Sequence, residues 1–163
     1  SRARIKLSAK KILKMGNPLL REEAKPFTFE EILSEDTEIL LKDMWDSLEE
    51  AGGIGLAAPQ IGISKQLAII KLSEESDRYP DMETSEAYII FNPKITVLDK
   101  EKQGFWEGCL SVPGLRGYVE RPRKVKIKMT HVDKGWGWER WICNGPEYCG
   151  KLLFFNFLDG TAR

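Results

Sequence analysis

Histidine occurs once, at His131, and cysteine three times in 163 residues. So few cysteines, in odd number, argue against a secreted disulfide framework and for a reducing compartment. Net charge is missing as well: 25 Lys and Arg balance 25 Asp and Glu. That balance removes the electrostatic footprint of a nucleic-acid binder or of a protein drawn to an anionic membrane. No apolar run approaches the ~20 residues of a membrane helix. The G-x-G at Gly53–Gly55 has no third glycine, and no G-x-x-x-x-G-K-[ST] occurs, so a phosphate loop is excluded. There is no repeat, low-complexity tract or interdomain linker. One domain over 1–163 is the simplest organisation, and its length suffices for a real core.

What is present reads as mixed helix and strand. Residues 1–26 read as an irregular arm, with a turn signal at Gly16-Asn17-Pro18. Thr28 and Glu31 fit a capping box, placing a short helical turn near 28–34. Leu41, Met44, Trp45 and Leu48 then repeat at helical spacing; Asp36 or Thr37 would cap that helix, and Gly52-Gly53 would stop it. Leu67–Ile70, Ala87–Phe91 and Ile95–Leu98 are strand-like, the last two separated at Asn92-Pro93, and 73–86 is a polar loop. Val112-Pro113-Gly114 reads as a turn. Val125, Ile127, Met129 and His131 alternate with polar neighbours as a half-buried strand, followed by a turn at 133–135 and a strand near 139–142. His131, at that strand's end, reads as structural rather than as a metal ligand.

The helix would deliver the chain into Gly53-Ile54-Gly55-Leu56-Ala57-Ala58-Pro59-Gln60, where small residues permit close approach and Gln60 offers both a donor and an acceptor. Further on, Glu107-Gly108-Cys109-Leu110-Ser111 joins an acid, a glycine and a lone thiol. These two motifs in this order, with the opening Lys11–Arg21, resemble the peptide deformylase family, whose members remove the N-formyl group from nascent polypeptides. The likeness covers about residues 11–135 and implies an α+β fold with antiparallel strands around a central helix, the first long helix lying outside. It also implies roles. Cys109 takes the place of a thiolate ligand to a divalent metal, Fe2+ first, with Zn2+ or Ni2+ as alternatives. Gln60 and the Leu110 backbone N–H take the places of oxyanion donors. Gly55 and Gly108 admit the substrate backbone, Ile54 and Trp106 line the pocket for the first side chain, and Arg116 lies near the substrate. Glu107, paired with Arg121, supports the site. The implied partner is an N-formyl-Met peptide or nascent chain, in a bacterial cytoplasm or an organelle. A basic opening, Ser1-Arg2-Ala3-Arg4-Ile5-Lys6, is compatible with a targeting remnant.

The family's third motif, H-E-x-D-H, would supply two histidine ligands one helical turn apart and a proton-carrying Glu. It is absent. With Gly145 and Leu158-Asp159-Gly160 as anchors, the histidine places fall on Leu153 and Phe157, the Glu place on Phe154 and the Asp place on Asn156. Text from about Trp136 onward departs from the family pattern. Three accounts fit: an inactive relative with 152–158 packed in its core, an altered C-terminal reading frame, or a different metal set drawing on Cys143 and Glu147. The function expected is metal-dependent hydrolysis of the N-formyl group. The alternative is an inactive relative that binds peptide N-termini.

Overall fold

Leu67-Ala68-Ile69-Ile70 is apolar at four successive positions, and strand alternation sends such a run to both faces of a sheet. The computed structural model, which describes residues 9–71, 87–130 and 141–144, places this run in a strand buried on both sides. Five strands, β1 (Gly55–Ala57), β2 (Leu67–Lys71), β3 (Ala87–Cys109), β4 (Val112–Thr130) and β5 (Trp141–Asn144), form one antiparallel sheet in sequence order. Leu67 and Ile69 join Ile12, Phe27, Met44, Leu48, Leu56 and Phe91 in one core. Ala68 and Ile70 join Ala57, Ile90, Val125, Ile127 and Met129 in the other. With its helices, the sheet makes an α+β architecture. The expected central helix and the polar loop 73–86 lie outside the described residues.

Two helices cover the first core. Helix α1 (Phe29–Ile32) is opened by the capping box read from Thr28 and Glu31. Helix α2 (Glu35–Ala51) buries Met44 and Leu48 and ends at Gly52, whose φ of 67° is left-handed. Its N-cap is Ser34, not Asp36 or Thr37. The Thr37 hydroxyl is turned inward to donate to the Glu31 carbonyl at 2.5 Å, which leaves Ser34 to accept from the Thr37 N–H. Asp36 and Glu38 stay in the first turn, where negative charge suits the helix dipole.

The strands are longer than their sequence signals. Ala87–Phe91 and Ile95–Leu98 belong to a single strand, and Asn92-Pro93 is an irregularity within it, with a register shift between Phe91 and Lys94. Asn92 has a φ of 51°, a conformation Asn tolerates better than most residues, and proline sits well where the ladder is already interrupted. Likewise Val112-Pro113-Gly114 falls within β4. The reversal itself is at Leu110-Ser111. Cys109 pairs with Val112 and Gly108 with Arg116, so Pro113-Gly114-Leu115 form an excursion without ladder partners among the described residues. The strand expected near 139–142 is β5 at 141–144, paired with Lys124–Ile127.

Asn92 also clamps the arm. Its Oδ1 accepts from the Phe27 N–H at 2.7 Å and its Nδ2 donates to the Phe27 carbonyl at 2.8 Å. Asn92→Ala should cost about 2–4 kcal/mol, because two backbone groups of a buried residue lose their partners at a left-handed position. Urea unfolding checks this; a loss below about 0.5 kcal/mol, the ordinary range for an indifferent surface site, would discard the clamp.

Lys65 lies 4.9 Å from the Phe27 ring centroid and donates to the Glu31 carboxylate. That bond, followed by the Thr28 backbone N–H, lowers the Glu31 pKa from its ordinary 4.5. A pKa lower in the folded than in the unfolded chain stabilises fully above the unfolded value, and the gain is lost as pH falls through the folded value. The Thr28 amide and the Glu31 carboxyl should therefore titrate together below the ordinary glutamate range by NMR, and Lys65→Met should raise that midpoint. An unmoved midpoint in Lys65→Met would refute the assignment.

Candidate active site

The candidate site forms where the segment after β1 meets the β3–β4 reversal. Ala58-Pro59-Gln60-Ile61 is a tight 3-10 turn with proline near its start. It carries Gln60 inward, leaving it 6% exposed. Gln60 Oε1 accepts from the Ala57 N–H at 2.9 Å. With the acceptor end so occupied, the amide must present its donor end to the other strand pair. Nε2 lies 3.1 Å from Ser111 Oγ and 3.8 Å from Cys109 Sγ. Three residues of the two motifs thus converge, although about fifty positions separate them in the chain.

Leu110 lies in the same reversal. A Cβ on Gly53 would stand 2.7 Å from Leu110 Cδ1 and 3.2 Å from Leu48 Cδ1. The glycine after α2 therefore lets the helix end close directly on the Cys109 turn. A Cβ on Gly55 would meet the Ile69 carbonyl at 3.4 Å, an ordinary contact. On Gly108 a Cβ would meet nothing nearer than 4.0 Å, so that face of the strand is open.

Glu107 and Arg121 form a bidentate pair, Nε to Oε1 at 2.7 Å and Nη2 to Oε2 at 2.6 Å, with both side chains largely shielded. Two parallel bonds fix the carboxylate plane as a single contact would not. The pair braces the strand immediately before Cys109. Alternation sends Trp106 to the opposite face from Glu107. There it is 67% exposed and packs edge-on against Tyr118, its register partner, at 5.8 Å between centroids. Gly104 lies under Tyr118, where a Cβ would collide with the phenol. Arg116 is exposed on that same face as the partner of Gly108. Ile54, 43% exposed, stands at the rim before β1.

Sequence reading overlooked two contributors. Ser111, buried, receives the Gln60 amide and was present in the motif as its last letter. The arm supplies backbone donors: Leu13 N–H to the Gln60 carbonyl at 2.7 Å and Met15 N–H to the Ser111 carbonyl at 2.8 Å. Main-chain donors leave no mark on residue type, so no pattern could have found them.

A metal set is a different matter. Among the described residues no three of His, Cys, Asp and Glu gather where an ion could be held. Cys109 is the one donor that the motifs bring into the site. His131, Glu147, Leu153, Phe154, Asn156 and Phe157 lie outside the described residues, and the whole sequence holds a single histidine. The residues present therefore do not complete a set of one Cys and two His.

The chain as a whole is similar to known proteins. The profile of the polypeptide deformylase family matches residues 9–136. A peptide deformylase of Leptospira biflexa is 47% identical over 122 residues, covering 75% of this chain and 68% of that protein. Peptide deformylase 2 of Pseudomonas syringae is 46% identical over 117 residues, covering 72% of this chain and 65% of that one. Among solved structures, the class I type b peptide deformylase of Acinetobacter baumannii, with Met-Ala-Ser bound, superposes with a TM-score of 0.78 at 32% identity, over 93% of this chain and 94% of that one. A Thermotoga maritima peptide deformylase gives 0.74 at 27% identity, over 93% and 92%. Residues 137–163 fall beyond the family match. On these grounds the chain belongs to the polypeptide deformylase family.

Proposed function

We propose that this chain is a peptide deformylase, hydrolysing the N-formyl amide of an N-terminal formyl-Met and releasing formate. One observation carries the reading: the Gln60 amide is locked with its donor end facing Cys109 and Ser111, the two residues that flank Leu110. Amide hydrolysis builds negative charge on the carbonyl oxygen, and fixed donors at that point lower the barrier without reorganising. The Gln60 Nε2 hydrogen not engaged by Ser111 and the Leu110 N–H are the two donors assigned to the formyl oxygen. The open face of Gly108 leaves room for the substrate backbone, with Ile54 at the rim and Arg116 and Trp106 reaching solvent further along. That a relative binds Met-Ala-Ser supports a Met-headed peptide as the ligand class. The working compartment is one that makes formylated chains, a bacterial cytoplasm or an organelle.

Fe2+ is the metal this family membership favours, with Cys109 as its ligand here. Because the other ligands are not supplied by the residues present, activation of the water is assigned to no described side chain. The single histidine favours a second reading, a relative that binds Met-headed N-termini without turning them over.

Formate release from a formyl-Met tripeptide, assayed with and without added Fe2+, separates the two. Turnover above a Cys109→Ala control is the expected result; turnover no higher than the control removes the enzyme reading. Peptide binding by calorimetry then decides the second reading, which fails if no heat is seen at millimolar peptide. Where turnover is present, Gln60→Glu should lower kcat by about 10²–10³-fold, since it keeps the acceptor for Ala57 but deletes the donor. An unchanged kcat would remove Gln60 from the reaction.

A further inference from the structure

The two donors assigned to the oxyanion come from segments that are not neighbours in the chain, and the side-chain bond from Gln60 to Ser111 is one tie between them. The arm adds another. Its start is pinned to α2, where the Lys10 N–H donates to Ser47 Oγ at 2.7 Å; that buried hydroxyl in turn donates to the Asp43 carbonyl at 2.6 Å. From there three consecutive residues reach across both loops. Leu13 N–H donates to the Gln60 carbonyl at 2.7 Å, Lys14 Nζ to the Leu110 carbonyl at 3.1 Å, and Met15 N–H to the Ser111 carbonyl at 2.8 Å. Beyond them, Asn17 caps a 3-10 turn at Pro18–Arg21 by accepting from the Leu19 N–H at 3.0 Å, which closes the far end.

We propose that Leu13–Met15 form a positioning strap that holds the Leu110 N–H and Gln60 convergent on one point. Leu13 and Met15 use main-chain donors spaced by two, the spacing at which an extended chain presents successive N–H groups to one side. Lys14 adds a charge-assisted bond between them. Bonds to the Leu110 and Ser111 carbonyls pin the two peptide units that immediately follow the Leu110 N–H, so rotation there would swing that donor away from Gln60. The strap touches no reacting atom; it acts through Leu110 and Gln60. This inference rests on the deformylase reading for its purpose, but its physical content is independent of turnover.

The test is ¹⁵N relaxation on the full chain. In the native protein the Leu110 and Ser111 amides should have order parameters near the rigid value of about 0.85. Met15→Pro, which deletes one donor, should bring both below about 0.6 while Met44 and Leu48 of α2 stay rigid. Lys14→Met, which leaves the backbone intact, should give a smaller fall at the same two residues, and Lys14→Arg should restore the native values. Values that stay near 0.85 in both Met15→Pro and Lys14→Met overturn the strap. So does a fall shared equally by α2, which would mark general destabilisation. In a chain that releases formate, Lys14→Met should lower kcat about tenfold with KM little changed, the signature of misplaced donors. An unchanged kcat overturns the strap as a positioning element. Failure of the native chain to release formate counts against the deformylase reading alone, since the relaxation result stands without it.

Discussion

The orientation of one carboxamide sets the terms for everything around it. Gln60 spends its oxygen on the Ala57 N–H within its own tight turn, so its nitrogen faces outward to the next segment. A flipped amide would set its NH2 against the Ala57 N–H, two donors facing each other. The buried donor must find an acceptor, and Ser111 Oγ is there with the Cys109 thiol beside it. An unsatisfied buried donor costs about 1–3 kcal/mol, so the fold is held to the arrangement in which these segments touch. The contact that stabilises is the contact that defines the site.

The rest of the architecture serves that meeting. Helix α2 ends at left-handed Gly52, and Gly53 lets its last turn close on Leu110. The long β3–β4 ribbon brings Glu107 and Arg121 together across the strands, stiffening the approach to Cys109 from the other side. Sheet and helices share a core in which Met44, Leu56, Leu67 and Phe91 are nearly or wholly buried. The site thus stands on packed elements along its edges, and its loops are short.

Sequence disclosed these features unevenly, for physical reasons. Helix α2 was legible because Met44 and Leu48 recur on one face, and the motifs were legible because their chemistry is packed into eight and five adjacent letters. The N-cap was misplaced because Thr37, an ordinary cap by type, is drawn inward by the Glu31 carbonyl. β3 looked like two strands because Asn92-Pro93 is a turn signal whenever nothing else restrains it. Here the Asn92 side chain grips Phe27, 65 residues away, and the strand runs on through a bulge. Local letters carry local preference; a bond to a distant segment overrules it.

Amide hydrolysis asks for three things: a held carbonyl, a proton for the leaving amine and an activated water. In the proposed reading the first falls to neutral donors, Gln60 and a backbone N–H, which keep their hydrogen-bonding role at any pH near neutrality. The other two tasks demand groups that change charge or bind a cation. Anchored on Gly145 and Leu158-Asp159-Gly160, the expected histidine pair and glutamate of the third motif would fall on Leu153, Phe157 and Phe154. Apolar side chains can bury themselves but cannot carry a proton. The substrate-holding half of the site and the water-activating half are therefore separable in chemical kind. The 9–136 family match ends before the residues that would carry the second half. A chain can keep the first intact, with its buried amide, ion pair and strap, because those interactions also hold the fold together. Every bond named in the Gln60 network joins residues within the 9–136 match.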